Sequence, residues 1–205
     1  MMGYVINKWL LLLCCVLLLT GCIGRKSPEV TYYSLLTMEQ MGEVQPVSSH
    51  PEIKLGVGPI TVPASLKRSQ VATRVQGNQY AFDEFNRWAG VLEKDIANVV
   101  GDNLGVLLGV EKVGFFPWMH YFAPSYRVIV DIQRLDGSLD GEAVLGARWA
   151  VADAAGKEFL AGDKIILRQP LEEPGYASLI KAESLLVAEL SKKIAVEING
   201  LLIGQ

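Results

Sequence analysis

Three runs decide the fold: YRVIVDIQRL (126–135), EAVLGARWAV (142–151) and KEFLAGDKIILR (157–168). In the first, Val128, Val130 and Ile132 alternate with Arg127, Ile129 and Asp131. This is the period-two pattern of a strand with one buried face and one mostly polar face. Turn residues at Gly137–Gly141 and Ala154–Gly156 separate the runs, so the three strands are expected to form an antiparallel meander.

Moving outward, the C-terminal side predicts a helix from about Tyr176 to Leu202. Ile180, Val187, Leu190, Ile194, Ile198 and Leu201 make one apolar stripe, while Lys181, Glu183, Glu189, Lys192 and Lys193 lie mostly off it. On the N-terminal side, Val71–Val75 and Gln79–Phe82 read as a hairpin around Gly77-Asn78. Asp83 is then expected to cap a helix running to about Leu108, because Phe85, Trp88, Leu92, Ile96, Val99 and Val100 recur at helical spacing before Gly109. Gly101, Gly105 and Gly109 mark a flat side of that helix suited to close packing on a sheet. Thr31–Leu36 is β-prone, residues 37–51 form a loop, and Ile53–Val57 with Ile60–Val62 make an interrupted strand. The fold class expected is α+β: a two-layer sandwich with a largely antiparallel sheet and two long helices on one face.

The start of the chain has a different character. Met1–Lys8 carries one cation and no acid, Trp9–Leu19 is an unbroken apolar run of eleven residues, and Leu19-Thr20-Gly21-Cys22 follows. A spanning helix needs roughly 20 apolar residues, so the run has signal-peptide length. Residues 1–21 are expected to be removed. The Leu-Thr-Gly-Cys box is similar to the bacterial lipobox, and by that resemblance Cys22 becomes the lipidated first residue. Two or more acyl chains hold a protein on a bilayer where a single chain does so only marginally. Residues 22–30, with Gly24 and Pro28, read as a tether that reaches about 30 Å at full extension. Residues 31–205 are read as a single periplasmic α+β domain. Ile23, rather than Asp, follows the lipidated cysteine. By the class rule for such lipoproteins, the anchor belongs in the outer membrane, with the domain facing the periplasm.

Composition narrows the chemistry. The three cysteines are Cys14, Cys15 and Cys22. The expected domain therefore has no free thiol for disulfides or thiolate metal sites. The chain has a net charge of −3, made one unit more negative by loss of Lys8, and shows no Lys/Arg run, which argues against nucleic acid. Enzyme signatures such as a Gly-x-Ser-x-Gly elbow, a phosphate-binding glycine loop or a His-Glu-x-x-His helix do not occur. Nothing in the spacing of Ser125, His120 and Asp131 selects them as a catalytic set, so no catalytic residue, metal or cofactor is expected. Asp136-Gly-Ser138-Leu-Asp140-Gly-Glu142 opens like a calcium loop but lacks the bidentate acid at its twelfth place, and is read as a polar hairpin turn. Phe115, Phe116, Trp118, Tyr121, Phe122 and Tyr126 place six aromatics in twelve residues around two prolines. Either these rings plug the end of the sheet, or they form an exposed lip for a protein partner or a lipid tail.

Several short pieces occur in a telling order. Tyr32-Tyr33-x-Leu35 comes first. Val57-Gly58-Pro59-Ile60-x-Val62-Pro63-x-x-Leu66-x-x-x-Gln70-x-x-x-Arg74 is second, then Arg87-Trp88-Ala89-x-x-Leu92. Pro117-Trp118 and Tyr126-Arg127-Val128-x-Val130-Asp131 complete it. Together they resemble the PqiC/YmbA-like lipoproteins, auxiliary components of ABC-type transport systems, over roughly residues 20–200. The resemblance implies a non-catalytic, outer-membrane-anchored subunit. It would dock a periplasm-spanning protein with mammalian-cell-entry (MCE) domains, in a system moving lipids between the two membranes and supporting membrane integrity. Copies of the chain itself are a further expected partner. The contact residues expected first are Val62, Pro63 and Leu66, in an apolar loop between strands, followed by Trp118 and Phe122. The alternative is a structural envelope lipoprotein with no transport partner.

Overall fold

The computed structural model describes residues 28–43 and 48–204; Cys22 and the leader lie outside them. Eight strands and two long helices follow one another: β1 (Thr31–Tyr33), β2 (Lys54–Thr61), β3 (Gln70–Arg74), β4 (Tyr80–Trp88), α1 (Leu92–Leu108), β5 (Lys112–Phe115), β6 (Tyr126–Gly137), β7 (Glu142–Ala152), β8 (Phe159–Pro170) and α2 (Tyr176–Ile203). All strands belong to one mixed sheet, so the class is α+β.

The meander is present as β6–β7–β8, with both ladders antiparallel. On its other edge β6 pairs in parallel with β2 and then, at Gly137, with β3. These two strands therefore follow each other along β6, interrupted by a 3₁₀ turn at Ala64–Leu66. β5 adds in parallel to β2, β4 pairs antiparallel with β3, and β1 lies parallel to β4. Local alternation cannot reveal these parallel additions, because they are made between segments distant in sequence.

The inward positions Val128, Val130, Ile132, Leu145, Ala147, Val151 and Ile165 meet Leu104, Leu108, Leu190 and Ile194 of the two helices in one continuous core. That core draws on residues from Leu35 to Ile198.

One element differs from its expectation. Residues 83–88 are strand, and α1 begins only at Leu92. The Asp83 carboxylate accepts from the Phe85 backbone N–H (2.7 Å) and from Asn86 Nδ2 (2.9 Å), which bends the strand without starting a helix. The β4–β3 register shifts between Gln70 and Ala72. Phe85 and Trp88 share helical spacing by coincidence, and sheet pairing on both sides outweighs it. The glycine stripe divides. Gly101 packs on the Phe115 ring and Gly105 on Val113, whereas Gly109 (φ 57°) is the left-handed residue that ends the helix.

Candidate functional site: the aromatic loop and the buried polar cluster

The aromatic segment forms the end of β5 and the loop leading to β6. Phe116 N–H bonds to the Val57 carbonyl and Ser125 N–H to the Lys54 carbonyl, so both ends of the loop are fastened to β2. The loop lies across the sheet face turned away from the helices. Glycines make this approach possible. A Cβ at Gly114 would sit 2.5–2.8 Å from the Phe122 ring, and one at Gly56 would meet Trp118 and Pro124 at 2.9–3.2 Å. Arg127, beside Gly56 in the register, places its guanidinium 5.5 Å from the Trp118 ring centroid. Trp118 and Phe122 are accordingly half-buried supports. The large apolar side chains of the loop that reach furthest into solvent are Phe116 (54 % exposed), Met119 (62 %) and Tyr121 (72 %). Two rings of the segment pack on the sheet, and three neighbouring side chains stand exposed beside them.

The other expected contact residues divide in the same way. Val62 and Leu66 point into the core and are not available as contacts (6 % and 3 % exposed). An apolar loop between two strands of one sheet has the core beneath it, and burying its largest side chains is the favourable outcome. Pro63 is half-buried, and Ala64, Lys67 and Arg68 are exposed. Cys22 lies outside the described residues.

Asp136 heads a second feature. It is fully buried and accepts from Arg74 Nε (3.2 Å to each oxygen), from Arg134 Nε (2.7 Å) and from the Tyr80 hydroxyl (3.0 Å). Arg74 also reaches the Tyr80 oxygen (2.8 Å) and stacks on its ring. Burial, reinforced by the hydrogen bond to Asp136, raises the Tyr80 hydroxyl above its ordinary value. This arrangement joins β3, β4 and β6. It also leaves Asp136 fully committed to cations, while Glu142 pairs with Arg168. The calcium-like spacing at 136–142 therefore serves ion pairs within the fold. Among the described residues no three His, Cys, Asp or Glu side chains gather as metal ligands.

The triad candidates are not brought together. Ser125 Oγ accepts from the Lys54 N–H, Asp131 accepts from the Thr61 hydroxyl, and His120 is exposed against Tyr121. Six residues of extended chain hold Ser125 and Asp131 about 20 Å apart.

Sequence reasoning missed two polar residues. Glu183 faces the core from α2, 1 % exposed, with no hydrogen-bond partner for either oxygen. Burial pushes its carboxyl well above the usual range, and the charge of Asp136 adds to this. Asn103 of α1 accepts the Met38 N–H at 2.8 Å and so pins the loop after β1. Both lie at helical spacing within an apolar stripe, Glu183 between Ile180 and Val187 and Asn103 between Val100 and Leu107, and that spacing is the signal that could have found them.

Residues 33–195 match the family model described as the ABC-type transport auxiliary lipoprotein component, and the chain belongs to this family. Among solved structures it is similar to an uncharacterized protein (TM-score 0.67, 23 % identity, covering 83 % of this chain and 99 % of that one). It is also similar to a protein from Xanthomonas campestris (TM-score 0.66, 13 % identity, 86 % and 99 % covered). At these identities the likeness shows the fold. No curated protein matches the chain. None of the helices among the described residues is long and apolar enough to cross a membrane.

Proposed function

We propose that this ABC-type transport auxiliary lipoprotein is a non-catalytic docking subunit, held by acyl chains on Cys22 in the outer membrane and facing the periplasm. Its partner is an MCE-domain protein that spans the periplasm, and the assembly moves lipids between the two membranes. Family membership over residues 33–195 is the observation that carries this reading. The leader and Leu-Thr-Gly-Cys box supply a means of anchoring. The accessible side of the turn between β2 and β3, exposed Ala64 and Lys67 with the half-buried Pro63, is the surface assigned to the partner, and Leu66 holds the turn in place from beneath.

The test is affinity purification of the tagged, lipidated protein from detergent-solubilised membranes, followed by mass spectrometry. The expected co-purifying proteins are an MCE-domain protein and ABC components. Ala64→Glu should lower their recovery without changing the melting temperature, whereas Leu66→Ala should lower stability as a core substitution. Recovery of cell-wall or other envelope proteins alone would replace this reading with that of a structural envelope lipoprotein.

A further inference from the structure

The sheet face turned away from the helices carries an unusual charge arrangement. On β2 and β5, Lys54 stands directly beside Lys112 in the register, with the same parity as the glycines under the aromatic loop. On β7 and β8, Arg148 stands directly opposite Lys164, and both are exposed. Like charges placed directly across a ladder are destabilising. Arg127 lies on the same face, stacked on Trp118, with its Nε buried and unpartnered. Among the described residues none of these five cations has an acid within 4 Å, although the chain as a whole is acidic. The acid of this face nearest to them, Asp131 beside Arg148, accepts a hydrogen bond from Thr61.

Little side-chain bulk stands beside the cations on this face. The small residues Ala150 and Gly162 lie between the Arg148–Lys164 pair and Arg127, and Ile166, 63 % exposed, adjoins Lys164 on the other side. The loop laid across its other half presents Phe116, Met119 and Tyr121. Cations without acidic partners, flanked by aromatic and apolar tips, suit a partner that is anionic, fluid and interfacial. Lipid bilayers with anionic headgroups have these properties, and aromatic side chains favour the headgroup level. A folded acidic protein would need, in addition to opposite charge, a surface shaped to fit this one.

We infer that this face is a second, non-covalent membrane contact, which lays the domain on the anionic phospholipid surface beside its anchor. The inference rests on the lipoprotein reading and adds an orientation to it: the helices point away from the membrane. A tether of this length keeps the face at high effective concentration, so a contact that is weak in isolation is enough.

The test uses residues 23–205 without acyl chains, a length that includes the whole core, so that binding reports the face alone. Sedimentation compares vesicles of phosphatidylethanolamine with about 30 % phosphatidylglycerol against pure phosphatidylcholine, at low salt and at ~0.5 M salt. Binding is expected only to the anionic vesicles and should be lost at high salt. Each cation contributes about fivefold, so Arg148→Ala with Lys164→Ala should weaken binding about 25-fold. Lys94→Ala with Lys181→Ala removes the same charge from the helices and should leave binding unchanged. Unchanged melting temperatures would show that the variants fold. Equal binding to neutral vesicles would overturn the inference, as would equal losses in the face and helix variants, or no binding of the folded protein to the anionic vesicles. Because neither partner nor acyl chain is present, failure here leaves the docking function to its own purification test.

Discussion

Removing the Glu183 carboxyl should stabilise this protein, although a buried polar residue on a core helix is usually thought of as indispensable. Glu183 is buried against the sheet with both oxygens unpartnered, and Asp136 adds a repulsive charge. The folded protein therefore keeps this carboxyl protonated to a higher pH than the unfolded chain does. Between the unfolded value, near 4.3, and the raised folded value, the native state binds the extra proton. The contribution of Glu183 to stability therefore falls as pH rises through that window, by up to about 1.36 kcal/mol per pH unit.

Two variants separate the components. Glu183→Gln keeps the shape and removes the ionisation, so its stability relative to wild type should rise with pH across the window. Glu183→Leu also removes the unsatisfied polar group and should gain about 1–3 kcal/mol even at low pH. For a domain of this size that corresponds to a rise of roughly 2–4 °C in Tm per kcal/mol. Urea denaturation of wild type and both variants from pH 4 to pH 9 gives the two curves. A wild-type and Glu183→Gln pair whose difference stays flat with pH would refute the reasoning, as would a destabilised Glu183→Leu. Either result would mean that the carboxylate has a compensating partner in the fold.

Other expectations follow from the same geometry. Gly114→Ala should cost about 1–3 kcal/mol in urea denaturation, because its Cβ would fall inside contact distance of the Phe122 ring and the loop would have to lift. Intrinsic fluorescence should report the movement through Trp118 in the same loop. Asp136→Ala should destabilise by about 2–4 kcal/mol, since it strands the Arg74 and Arg134 guanidiniums; Arg74→Ala should cost less, because Arg134 and Tyr80 still satisfy the carboxylate. Asn103→Ala leaves the Met38 N–H without its acceptor and should cost about 1–3 kcal/mol. Hydrogen exchange should then show faster opening of residues 34–41, while the β6–β8 ladder stays protected.

What the sequence alone determined is local and periodic. The alternation in 126–135 and the turns at 137–141 and 154–156 specify the meander, because side chains that alternate between faces and turns with glycines leave one register. The stripe from Ile180 to Leu201 specifies the long C-terminal helix for the same reason. The order of short motifs from Tyr32 to Asp131 identifies the family, since each holds a position where a strand, turn or buried ring is required.

Tertiary structure decided what depends on partners distant in the chain. Residues 83–88 have helical spacing but pair as a strand, because β1 and β3 offer hydrogen bonds that a helix there would forgo. β2 and β3 line up along β6 only once the meander exists to receive them. Val62 and Leu66 look like an exposed loop, yet they go into the core because helix α1 and the sheet enclose the space beneath. Glu183 stands three residues after Ile180 and four before Val187, on the apolar stripe itself, and that face of α2 is the one the sheet covers, so the carboxyl is carried into the core with its apolar neighbours. The candidate membrane face is the extreme case. Lys54, Lys112, Arg127, Arg148 and Lys164 are scattered over more than a hundred residues, and only strand register gathers them, unpaired, onto one side of the sheet.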